Sequence, residues 1–152
     1  MLTFLCLTLP PRFQRELTLS NRDVSNEKSV DDGIVKILER FPQAPIGGIA
    51  FGPLVLQDVL LKDMDFQMMQ MVLKPKAEGA RILHERFSSL AKPLDFFVMF
   101  SSIVTVLGNP GQANYGAANA YLQALAQQRR SIGLVVSTYS YCFLLIILVT
   151  LR

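Results

Sequence analysis

At 152 residues the chain is long enough for one domain with a real core and leaves no room for a second independent one. It is 51% hydrophobic and 18% charged, with a mean hydropathy of +0.33, so more of it must be buried than in an ordinary soluble domain. Its 15 Lys and Arg against 12 Asp and Glu give a formal +3 without a dense basic cluster, and Cys6 and Cys142 lie at opposite ends with His84 as the single histidine. A nucleic-acid binder, a disulfide framework and a metal centre are all disfavoured, and the chain reads as cytoplasmic.

The opening "MLTFLCLTLPP" is apolar but has no basic lead, which argues against a signal peptide. Leu17 to Asp23 reads as the end of a short strand entering a polar turn. In "VDDGIVKILERF", Val30, Ile34, Ile37, Leu38 and Phe41 recur near helical spacing, so a helix ends before Pro42. "IGGIAFG" is a short strand whose glycines admit a close neighbour. Phe66 to Phe87 is helical, with Pro75 expected to start a new helix because it lacks an amide proton and restricts Lys74. The methionines of "DMDFQMMQMVL" are expected to fill core.

"LDFFVMFSS" is the clearest strand, a continuous apolar run of the kind covered on both faces. "GNPG" is a turn, Gln112 to Arg130 a helix stopped by Gly133, and "LVVSTYS" another strand. Cys142 to Val149 is uninterrupted apolar sequence, and a buried strand with an abnormal tail is preferred there to a membrane helix. Strand, helix, strand, helix, strand, helix, strand implies a parallel sheet with right-handed crossovers and helices on both faces. Ligands then bind outside the carboxyl ends of the strands.

Two serines, Ser101 and Ser102, close one strand at that edge, and Tyr115 and Asn119 lie four apart on one face of the next helix. Each has an ordinary reading: a strand-end cap, a half-buried aromatic, a local backbone binder. A tyrosine acting as an acid also needs a nearby cation, since its unperturbed pKa is near 10. Lys74 and Lys76 are the candidates. His84, in "ARILHERF", is expected to pack or face solvent.

The ordered series "DVSN", "GIAFGPLVLQDVLL", "VLKPKAEGARILHE" and "LDFFVMFSSIVTVLGNPGQANYGAANAYLQALAQQRR" resembles the ketoreductase domains of polyketide synthases, above all the fungal highly reducing type, within the short-chain dehydrogenase/reductase superfamily. The resemblance implies an α/β fold with a partial Rossmann-like, doubly wound, three-layer parallel sheet. It implies NADPH as cofactor and a β-keto thioester on an acyl carrier protein as substrate, with other synthase domains as partners. By the same resemblance Ser102 binds the carbonyl, Tyr115 is the general acid, and Asn119 stands where free-standing members carry lysine. Lys76 supplies the cation in place of Lys74, Asp23 contacts the adenine, and Val24, Gly52 and Ser101 also bind the cofactor.

No glycine-rich strand-to-helix turn precedes "DVSN", and the first 22 residues contain no glycine. The expected divisions are therefore an atypical segment 1–22, a partial ketoreductase domain 23–137 lacking its first strands, and an apolar tail 138–152. The isolated chain is expected to be poorly soluble and weakly active or inactive. A non-catalytic remnant that packs in a synthase, a free-standing dehydrogenase with an incomplete gene model, and a small tail-anchored membrane protein are the alternatives.

Overall fold

The computed structural model describes residues 2–8, 16–89, 93–141 and 147–151. Six strands form one sheet: β1 (Leu2–Thr8), β2 (Glu16–Arg22), β3 (Ile46–Phe51), β4 (Phe96–Ser102), β5 (Ser137–Tyr141) and β6 (Ile147–Leu151), in spatial order β2-β1-β6-β3-β4-β5. Strands β3, β4 and β5 are parallel, as the strand and helix order predicts. β6 runs antiparallel to β3, β1 parallel to β6, and β2 antiparallel to β1. Strands β2, β3, β4 and β5 therefore all point their carboxyl ends to one edge. The terminal segments, expected to lie outside the domain, supply the two strands between β2 and β3.

Helix α1 (Glu27–Arg40) joins β2 to β3, and Asn26 caps it by accepting from the Ser29 amide at 2.9 Å. Helix α2 (Phe66–Leu73), capped by Asp65, and helix α3 (Gly79–Ser88) lie between β3 and β4. Helix α4 (Val104–Leu107) is one turn, and α5 (Ala113–Ser131) joins β4 to β5. Glycines 108 and 111 of "GNPG" and Gly133 beyond α5 all have positive φ, the left-handed conformation that turns and helix ends require.

Two expectations fail within the helices. Pro75 does not begin a separate helix: Lys74–Glu78 forms a π-turn that carries α2 into α3 without a break, with the Gly79 amide bonding back to the Lys74 carbonyl. Widening one turn accommodates the proline's missing donor and its ring inside a continuous helix. The α2 methionines do not fill core either. Among its residues only Val72 is buried, and Met71 is 49% exposed.

The core joins Val24, Val30, Ile49, Phe51, Ile82, Leu83, Phe97, Met99 and Leu122 from the sheet and the three long crossovers. All three crossovers advance the same way along the sheet, which for right-handed connections places their helices on one face. Burial in β4 alternates from Phe96 to Ser101, with Phe97, Met99 and Ser101 buried and Phe96, Val98 and Phe100 only partly so, and Ser102 at its end is buried as well. Parallel strands joined through helices give the α/β architecture that the order of elements predicts. Gly79 lets the helical run cross close above β3, since a methyl there would come within 3.0 Å of Phe51 and Val24. An exposed ion-pair set, Arg86 with Asp31 and Glu27 and Arg81 with Glu27, ties α1 to α3.

Candidate active site

The site forms where β3 and β4 end and α5 begins. Ser101 and Ser102, the last residues of β4, are both buried, at 4% and 2% exposure. Alternation along the strand sends their side chains to opposite faces. The Ser101 hydroxyl donates to the Asn119 carbonyl at 3.4 Å, and the Ser102 hydroxyl accepts from the Val104 amide at 3.3 Å. The Ser102 carbonyl accepts from Thr105 at 2.8 Å, and Gln123 of α5 donates to that threonine hydroxyl at 2.8 Å, so the end of β4 is tied to α5.

Tyr115 and Asn119 share a helix face, and the Asn119 amide donates to the Tyr115 carbonyl at 2.8 Å. The other polar side-chain atom of Asn119, Oδ1, is buried with no hydrogen-bond partner among the described residues. An acceptor left in that state is costly, and such atoms are kept where a site has a use for them.

The π-turn turns Lys76 inward. Lys76 is 3% exposed, whereas Lys74 is exposed. Lys76 Nζ donates to the Phe100 carbonyl at 2.8 Å and sits 5.7 Å from the centre of the Tyr115 ring. Burial pushes the Lys76 ammonium down to about 8. It is still mainly protonated at neutral pH, and its charge lies against the phenol ring. Lys76, Tyr115, Asn119 and Ser101 are thus linked by direct contacts, and Ser102 joins them through its place on β4.

The residues expected at the cofactor occupy the same edge further along. Asp23 follows β2 and is exposed; its carboxylate accepts from the Ser25 amide at 2.9 Å and the Ser25 hydroxyl at 2.7 Å. Asp23 lines a cleft of about 560 Å³ with Ser25, Asn26, Gln70, Lys74 and Glu78. Val24 is fully buried, its side chain against Gly79 in the core and not at the cleft. Gly52 is buried immediately after β3. At the strand spacing of a sheet, β2 and β3 lie roughly 14 Å apart with two strands between them.

A family profile, the KR domain, matches residues 11–144. The chain belongs to the KR domain family. Among its curated relatives, this ketoreductase chain is 68% identical over 125 residues to a protein named lovastatin nonaketide synthase mokA from Monascus pilosus, and 67% identical over 126 residues to the polyketide synthase component of compactin nonaketide synthase from Penicillium citrinum. Each match covers 81% of this chain and 4% of the relative, so the ketoreductase chain spans a small fraction of the length of these synthases. Among solved structures, an A-type ketoreductase from a modular polyketide synthase superposes with a TM-score of 0.73 at 33% identity, covering 81% of this chain and 25% of the other. A ketoreductase domain from the bacillaene assembly line gives a TM-score of 0.71 at 34% identity. The chain is thus a ketoreductase-family domain of the short-chain dehydrogenase/reductase type, related to fungal synthases of secondary metabolism.

Several residues of this ketoreductase chain escaped the reading of the sequence. Arg129 is 1% exposed; it donates from Nη1 to His84 Nδ1 at 2.9 Å and from Nε and Nη2 to the Val135 carbonyl at 3.3 and 3.1 Å, and it stacks 4.2 Å from the centre of the Phe97 ring. That bond puts the proton of neutral His84 on Nε2. His84 packs half-buried, as expected, at the end of the sheet away from the site. Asn114 is also fully buried, beside Tyr115. Nothing in the spacing of "QANYG" distinguishes a buried asparagine from an exposed helix residue.

Proposed function

We propose that this site reduces a β-keto acyl thioester, carried on an acyl carrier protein, to the β-hydroxy thioester with NADPH. The observation that carries the reading is the buried Lys76 ammonium set against Tyr115 at the carboxyl edge that Ser102 closes. Tyr115 gives its phenolic proton to the developing alkoxide. Ser102 donates a hydrogen bond to the same oxygen, and the Lys76 charge stabilises the phenolate left behind. Asn119 holds the helix face that presents Tyr115 and offers Oδ1 as an acceptor to a donor brought into the site.

The residues present suit two parts of the cofactor: Asp23 at the rim of the polar cleft for the adenosine end, and Gly52 with Ser101 for the end beside Tyr115. When bound, NADPH supplies the hydride, and the protein aligns the two carbons. A groove of about 540 Å³ between Leu60, Leu61, Val104, Thr105 and the Gly116, Ala117 and Ala120 face of α5 suits the apolar acyl chain. The kinship with multidomain synthases supports a carrier-bound substrate and neighbouring synthase domains as partners.

A second reading, a non-catalytic packing module of a synthase, is favoured by one observation. The position beside β3 is filled by β6 running antiparallel, where a Rossmann-like sheet has a parallel strand leading into its glycine-rich turn. Loss of NADPH absorbance with a β-keto thioester mimic, abolished in Tyr115→Phe, supports reduction. Absence of turnover with NADPH binding undetectable by calorimetry, together with retained capture by a carrier-linked synthase, supports the module.

A further inference from the structure

The segment after β3, residues 52–63, crosses the edge of the sheet and meets the start of α5 at three points. The Val59 amide donates to the Gly111 carbonyl at 2.9 Å. Gln112 Nε2 donates to the Asp58 carboxylate at 2.9 and 3.1 Å, and Asn114 Nδ2 donates to the Gln57 carbonyl at 2.9 Å. The first two straps are at the rim; Asn114 is at 0% exposure. Gly111 has φ +81°, a conformation that favours glycine, and a methyl added there would be in ordinary contact with the Val59 backbone at 3.5 Å.

Asn114 does a second thing with the same side chain. The first amides of a helix have no partner within it. Gln112, at the cap position of α5, makes no side-chain bond to those amides. Instead, Asn114 Oδ1 accepts from the amide of Tyr115 at 2.7 Å. One buried carboxamide therefore satisfies the backbone of the residue that carries the phenol and grips the segment lying across the site.

We infer that Asn114 is a positioning residue for reduction: it clamps residues 52–63 to the first turn of α5 and so holds Tyr115 in register with Lys76 and Ser102. The inference rests on the reductase reading of the site. Asparagine is suited to this place because one end must donate and the other accept. Aspartate has the same shape and keeps the acceptor for Tyr115, but presents an oxygen to the Gln57 carbonyl. Alanine loses both bonds. Misplacement of a reacting group by about 1 Å is enough to cost on the order of 100-fold in rate.

The test compares the wild-type chain with Asn114→Ala and Asn114→Asp, using three readouts. These are amide hydrogen exchange at Val59, the nuclear Overhauser contact between the Lys76 side chain and the Tyr115 ring, and NADPH-dependent reduction of a β-keto thioester mimic. In folded variants the expected result is Val59 exchange faster by about tenfold or more, loss of the Lys76–Tyr115 contact, and kcat lower by about tenfold or more with KM little changed. Unchanged Val59 exchange overturns the clamp. Faster exchange with the contact and kcat retained reduces Asn114 to a packing residue and overturns its positioning role. If the wild-type chain reduces nothing, the reductase reading falls on that arm alone, while exchange and the Lys76–Tyr115 contact still decide whether Asn114 sets the register. If Asn114→Ala does not fold, the isosteric aspartate variant decides.

Discussion

Replacing Lys76 by methionine should make the protein more stable at neutral pH while removing the cation that the proposed reduction uses. The ammonium is 3% exposed and burial pushes it from 10.5 to about 8. With each tenfold change in proton affinity worth about 1.4 kcal/mol, holding that proton in the folded state costs about 3 kcal/mol at pH 7. The charged hydrogen bond to the Phe100 carbonyl is lost in the variant, and it offsets about 1.5–3 kcal/mol of the gain. Methionine matches the lysine stem in length and is apolar, so a net stabilisation of up to about 1.5 kcal/mol is expected.

The sign with pH follows from the depressed value. Lys76 imposes its full cost on the wild-type fold below pH 8, and that cost disappears as pH rises from 8 to 10.5. Urea unfolding of both proteins at pH 7 and pH 10 reads this directly, because groups common to the two cancel in the difference. The variant's advantage should shrink at pH 10 and reverse in sign if the Phe100 bond persists with the neutral amine. A variant less stable than wild type at pH 7, or a gap flat between the two pH values, would refute the reasoning that the site holds a desolvated cation.

Three further outcomes follow from the same contacts. If the Lys76 charge stabilises the Tyr115 phenolate, kcat for reduction should fall as pH rises past about 8, and the fall should move when Lys76→Arg keeps the charge. His84 is held below its usual range by burial first and by the Arg129 charge second, with Glu85 opposing. Its contribution to stability is therefore complete above pH 6.5 and lost as pH falls through its lowered folded value, so urea midpoints at pH 7 and pH 5 should converge on those of His84→Gln at the acid end. Gly79→Ala should destabilise by about 1–3 kcal/mol, read as a lower urea midpoint, because the methyl meets Phe51 and Val24 at 3.0 Å.

What the sequence made legible was what depends on neighbours in the chain. Periodicity located α1, β3, β4 and α5, and the four-residue spacing of Tyr115 and Asn119 put them on one face, where the Asn119 amide meets the Tyr115 carbonyl. The choice of Lys76 over Lys74 came from family resemblance, and its physical cause is the π-turn. A proline in a helical run admits a start, a kink or a widened turn, and composition does not rank them. Only packing against β3 and α5 selects the turn that points residue 76 inward. Asn114 and Arg129 were hidden for a related reason: polar residues on helices are usually exposed, and what buries these two is a segment distant in sequence.

The two strands between β2 and β3 show where such reading stops. Of the apolar run read as a buried strand, 142–146 lie outside the described residues and 147–149 fall in β6, and strand propensity carries no direction. An uncovered edge on β3 would leave a row of backbone donors and acceptors unpaired, and pairing in either direction satisfies them. The register of β6 on β3 shifts between Ile46 and Gly48, a bulge at the point where a large ring, Phe96, crowds Gly48 from the other neighbour. Backbone pairing therefore closes the sheet without restoring the parallel strand and glycine-rich turn of a dinucleotide fold. The cluster of Lys76, Ser101, Tyr115 and Asn119, to which the proposed proton transfer is assigned, is by contrast assembled from residues 76–119, by contacts that do not involve β1 or β6. Geometry for proton transfer and capacity to hold the cofactor are thus separable in this chain. Tyr115→Phe and Lys76→Met probe the first, and calorimetry with NADPH probes the second.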